Sequence, residues 1–177
     1  LSSQHVADQP DGSCTQNLSL DGQGRVEDHW VQTELGGVTY LDTEPWRGEP
    51  LLAYLRKMVF WADVQLEEAD LAVLSLLGPQ LADPGVLAVL GLDGLPAEST
   101  AVALPRGGFA RRLPSAPGQV ELDVLVPRAD IAEAAELAIV FAATHPNRTD
   151  GLVLVGCYAS RTRSPDYPWA PDPADRE

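Results

Sequence analysis

The sequence predicts an α+β fold: a mixed β-sheet with an N-terminal β-hairpin, helices packed mainly on one face, and a C-terminal β-α-β unit. Two stretches carry the prediction. Residues 119–160 read as strand, helix, strand, and residues 25–43 read as two extended runs flanking Gly36-Gly37.

In the C-terminal stretch, Val120, Leu122, Val124 and Val126 fall on one face of an alternating run, with Glu121 and Asp123 on the other. Asp130 then caps a helix, and Glu133 completes a capping box. Ile131, Ala134, Ala135, Ala138, Ile139 and Ala142 recur at helical spacing until His145-Pro146-Asn147. A second apolar run, Leu152 to Tyr158, follows. That order predicts a right-handed crossover between parallel strands.

From the start of the chain, residues 1–24 read as a polar arm, with turn signals at Asp11-Gly12, Asp21-Gly22 and Gly24. Residues 25–160 read as a single α+β domain. Its hairpin turns on Gly36-Gly37, a pair that supplies the positive φ angles of a primed turn. Val26, Trp30 and Gln32 share one face of the first strand, and His29, Val31 and Thr33 the other. Neither face is cleanly apolar, which suits a strand near an edge or against a partner. Pro50 then opens a helix whose apolar stripe is Leu51, Leu52, Leu55, Met58 and Val59, with Trp61 at its end.

Residues 67–77 read as a second helix that Gly78-Pro79 stops, with a buried strand from Leu71 to Leu77 as the alternative. Val86 to Leu90 has the length and flanks of a strand, and Ala101 to Leu104 is another. Residues 161–177 contain four prolines and read as an extended arm anchored by Tyr167 and Trp169.

Charge is the strongest global signal. The net charge is −14, and residues 1–100 hold 16 acidic side chains against 4 basic ones. Such a surface disfavours nucleic acid and anionic membranes, because phosphate binding rests on Lys and Arg. No apolar run reaches the roughly 18 residues that span a bilayer, and Leu1-Ser-Ser-Gln-His begins no signal-like segment. A soluble chain is expected, cytoplasmic before secreted. Lys57 is the sole lysine, a usage that points to a high-GC, bacterial genome.

Signatures of nucleophilic serine, phosphate-loop, zinc-helix and dinucleotide sites are absent. Cys14 and Cys157 permit one disulfide but no zinc site, and Cys157 reads as a buried small residue. In Asp28-His29-Trp30, strand alternation prevents Asp28 from orienting His29 as a base, although Asp42 and Glu44 lie across the hairpin. His145 reads as helix-end and turn chemistry. Arg106, Arg111 and Arg112 form the one concentrated positive patch. They suit either an anion or the chain's own carboxylates. No cofactor or metal is expected.

The leading expectation is a non-enzymatic binding module that meets a basic protein partner through its acidic N-terminal half. Asp28, Trp30, Glu34, Asp42, Glu44, Trp46 and Glu49 are the expected contacts. The alternative is a small enzyme or accessory subunit that binds a small molecule between sheet and helices, with Trp30, Trp46, Phe60 and Trp61 as pocket walls. A third reading makes the C-terminal arm a contact between subunits of a homo- or hetero-oligomer.

Overall fold

The computed structural model describes residues 8–60, 62–131, 133 and 143. The chain divides into two compact units, Leu1–Arg128 and Ala129–Glu177. In the second, Ile131, Glu133 and Ala143 are helical. The expected strand over 152–158, the arm over 161–177, His145 and Cys157 lie outside the described residues, as does Trp61 in the first unit. Among the described residues, no helix is long and apolar enough to cross a membrane.

The first unit has the α+β character expected, built on two antiparallel sheets. One contains β1 (Cys14–Leu20), β2 (Val26–Leu35) and β3 (Val38–Thr43) in that order. Gly36 and Gly37, at φ +61° and +77°, make the primed turn that joins β2 to β3. β1 is a correction, because it falls inside the stretch expected to be a polar arm. Its backbone pairs with β2 from Cys14 opposite Thr33 to Leu20 opposite Val26, so a polar composition did not prevent a ladder. Asp21 shapes the return: its Oδ1 accepts from the amides of Gln23 and Arg25, each at 2.8 Å.

Helix α1 (Gly48–Met58) follows, with Glu49 in its first turn and Arg56 and Lys57 in its last, as the helix dipole favours. Leu51 is its buried residue.

The second sheet contains β4 (Leu71–Leu77), β5 (Thr100–Ala103), β6 (Phe109–Arg112) and β7 (Glu121–Pro127) in the order β4-β7-β6-β5. Every described pairing is antiparallel. Two expectations are corrected. Residues 71–77 form a strand, not the favoured helix, because β7 supplies a ladder running from Leu71 opposite Pro127 to Leu77 opposite Glu121. Residues 84–90, expected to hold a strand, form helix α2 (Pro84–Leu90). There Asp83 caps the start by accepting from the Gly85 amide at 2.8 Å, proline takes the first turn, and Gly91 closes the helix at φ +72°.

β7 is buried on both faces. On one, Leu122 and Val124 pack with Leu81, Leu87, Leu92 and Ala110, so α2 and the turn before it cover the sheet. On the other, Leu125 packs with Phe109 and Ala101 against Leu35 and Tyr40 of the first sheet. The Tyr40 and Phe109 rings meet at 4.9 Å between centroids. Leu122 and Phe109 are 0% and 1% exposed, and burying side chains of this size contributes about 1.5–3 kcal/mol each.

The two sheets are also stitched through the backbone. Ser13 bridges Thr100, the Cys14 amide donates to the Ser99 carbonyl at 2.9 Å, and the Ala101 amide donates to the Gly12 carbonyl at 2.8 Å. This seam fixes the start of β1, and through it the register of β2.

Candidate functional site

Strand alternation gives the first sheet two chemically different faces. Thr33, Tyr40 and Asp42 point towards the second sheet, whereas Trp30, Gln32 and Glu34 point away from it.

On the inward face, Arg111 of β6 is 1% exposed and spends all five of its N–H donors inside the protein. Nε and Nη2 donate to Asp123 Oδ2 at 3.2 and 3.1 Å. Nη2 also donates to Asp42 Oδ2 at 2.8 Å, and Nη1 donates to Asp42 Oδ1 and to Thr33 Oγ1. Ser75 of β4 completes the set by donating to Asp123 Oδ1 at 2.6 Å. Burial alone would lower the pKa of this guanidinium. The hydrogen bonds and charge of Asp42, with Asp123 behind them, outweigh burial and hold it above its ordinary value. This layer is an inter-sheet clamp, saturated by its own residues.

Cys14 lies in the field of the same cluster. Its buried thiol donates to the Arg112 carbonyl at 3.6 Å, and burial pushes its pKa from 9.0 up to about 11, with Arg111 opposing and Asp123 and Asp42 assisting. The folded chain therefore keeps this proton to a higher pH than the unfolded chain does. Stability falls as pH rises from about 9 to about 11. Cys14→Ala is expected to flatten that alkaline slope in urea titrations. An unchanged slope would contradict the assignment.

On the outward face, β2, β3 and α1 border a groove of about 470 Å³. The β2–β3 register sets Leu41 opposite Gln32 and Thr39 opposite Glu34. Trp30, Leu41 and Leu55 supply apolar wall, and Asp8 and Gln9 lie at one side. Glu34 is held from two directions: Gln32 Nε2 donates to Oε1 at 2.7 Å, and Thr39 Oγ1 donates to Oε2 at 2.6 Å. Its backbone is equally fixed, with the Glu34 amide donating to the Ser13 carbonyl at 2.9 Å and its carbonyl accepting from Gly12 at 2.7 Å. The groove is thus an aromatic and aliphatic trough that ends on an immobilised carboxylate.

The remaining expected contacts separate. Asp28 is bound to Arg47, whose Nε donates to Oδ1 at 2.6 Å. Asp42 belongs to the inter-sheet clamp. Glu44 meets His29 Nδ1 at 3.4 Å and accepts from Thr43 at 3.0 Å; its pKa is lowered by its own backbone amide, then by Thr43 and His29. Trp46, 74% exposed, and Glu49 remain on the surface. Phe60 is 73% exposed and, like Trp46, does not border the groove.

Arg106, Arg111 and Arg112 do not converge. Arg106 is exposed at the β5–β6 turn, Arg111 is buried, and Arg112 donates to Glu98 at 3.1 Å. Gln32, Thr39, Leu41 and Leu55 were not expected as site residues; the alternation Trp30-x-Gln32-x-Glu34 was the visible signal for the face they share.

No protein-family description matches this chain, and no curated protein does. Its fold is similar to that of the glycine cleavage system aminomethyltransferase T from Bartonella henselae. The TM-score is 0.62 at 23% sequence identity, over 73% of this chain and 36% of that one. The likeness is one of fold.

Proposed function

We propose that this chain binds a small organic molecule in the groove between its first sheet and α1. One observation carries the reading: apolar walls from Trp30, Leu41 and Leu55 converge with a fixed polar group, Glu34, around about 470 Å³. Ligand sites combine these elements at volumes of about 300–1,000 Å³. The likeness to an aminomethyltransferase is one of fold, and the reading rests on the groove. The proposal is of binding and not of aminomethyl transfer.

A thermal-shift screen of polar metabolites against the wild-type chain, Trp30→Ala and Leu55→Ala tests it. A ligand at a hundredfold excess over its Kd adds about 2.7 kcal/mol of stability. The expected hits raise the wild-type midpoint and lose that effect in both variants. Hits that stabilise all three proteins alike would remove the groove from the account.

A basic protein partner is the second reading, favoured by the exposure of Trp46 beside the exposed Glu49 at the start of α1. Asp28 and Asp42 are ion-paired within the chain and Glu44 meets His29, which leaves Trp46 and Glu49 as the expected contacts outside the groove, with Trp30 and Glu34 lining it. Such a complex is expected to form at low salt, dissociate at high salt and weaken in Trp46→Ala. A salt-insensitive complex would contradict it.

A further inference from the structure

The charge of the groove selects among ligands. Among its described lining residues are two carboxylates, Asp8 and Glu34, and no basic side chain. Glu34 already accepts one hydrogen bond on each oxygen, from Gln32 and from Thr39. A carboxylate offers about four acceptor positions, so these bonds orient it without exhausting it. Gln32 and Thr39 each spend a donor on Glu34, and its carboxylate is the charged acceptor at the polar end of the groove. Trp30 adds an indole, the side chain whose π-face attracts cations most strongly. Leu41 and Leu55 extend the apolar wall beyond it.

We infer that the ligand of this groove is an organic cation: a protonated amine with a compact apolar body. Its ammonium group donates to Glu34, and its body lies along Trp30, Leu41 and Leu55. An ammonium–carboxylate hydrogen bond is stronger than a neutral one, and Asp8 adds a second negative charge to the groove lining. An anionic ligand meets the opposite situation, with like charge at the polar end and no basic side chain among the described lining residues to offset it. The inference rests on the groove being a binding site, and its test separates the two claims.

The probes are three molecules of similar size: phenethylammonium, phenethyl alcohol and phenylpropionate, titrated calorimetrically into the full chain. The ammonium is expected to bind at least about tenfold more tightly than the alcohol, with an affinity that falls as salt rises. Phenylpropionate is expected to bind most weakly. Glu34→Gln keeps an acceptor oxygen for Gln32, meets the Thr39 hydroxyl with an N–H that this hydroxyl can accept, and loses the charge, so it should erase the preference while leaving the alcohol's affinity in place. An unchanged thermal midpoint in that variant shows that folding is not what changed. If the alcohol or the carboxylate binds as well as the ammonium, the ligand class is wrong and the groove stands. If none of the three binds at millimolar concentration, both claims fall.

Discussion

Arg111→Met is expected to remove about 3–5 kcal/mol of folding stability, the range found when one partner of a buried ion pair is deleted. The effect should be this large because Arg111 is 1% exposed and its loss strands two carboxylates. Asp123 is 7% exposed and would keep only its bond from Ser75. Asp42 would lose its partner on the inward face of β3. Urea denaturation measures the loss directly. The triple replacement Arg111→Met, Asp42→Leu, Asp123→Leu is expected to recover most of it, since no buried charge then lacks a partner. If Arg111→Met costs less than about 1 kcal/mol, as an exposed pair would, the clamp does not join the sheets.

Gly108→Ala is expected to cost at least about 3 kcal/mol, from two additive sources. Gly108 sits at φ +75°, and a Cβ there would overlap the carbonyl oxygen of Leu125. That carbonyl belongs to β7, the strand buried on both faces, so it cannot retreat without disturbing the core. The neighbouring Gly107 is the control. It has φ +95° with Pro127 Cγ, at 3.8 Å, as the nearest atom, so Gly107→Ala should cost only the conformational penalty of about 1–2 kcal/mol. Equal losses in the two variants would show that β6 does not approach β7 as described.

What the sequence disclosed follows from how local each signal is. The β2–β3 hairpin was legible because Gly36-Gly37 dictates its own turn, and α1 was legible because its apolar stripe recurs at helical spacing. β7 was visible in the alternation of Val120, Leu122, Val124 and Val126. The same alternation marked Asp123 as polar, yet a second sheet covers that side and Arg111 neutralises it. α2 was misread because Val86 to Leu90 was judged by its apolar run; the deciding signals were Asp83-Pro84 before it and Gly91 after it. β1 was missed because its stabilisation is the ladder to β2, and a polar strand advertises no apolar period.

The candidate site was half visible. Trp30 stood out in the sequence both as a contact for a protein and as a pocket wall, and Glu34 as a contact for a protein. Thr39 and Leu41 join them only through the β2–β3 register, and Leu55 only through the placement of α1. Asp42 and Arg111 are 69 residues apart, and no local pattern announces such a pair.

The most direct test of groove binding is an amide and indole NMR spectrum of the isotope-labelled chain during titration with phenethylammonium. The account predicts shifts concentrated at the Trp30 indole and at the amides of Gln32, Glu34, Thr39 and Leu41, saturating with a single affinity. Shifts centred instead on Trp46 and Glu49, or spread without saturation, would contradict it.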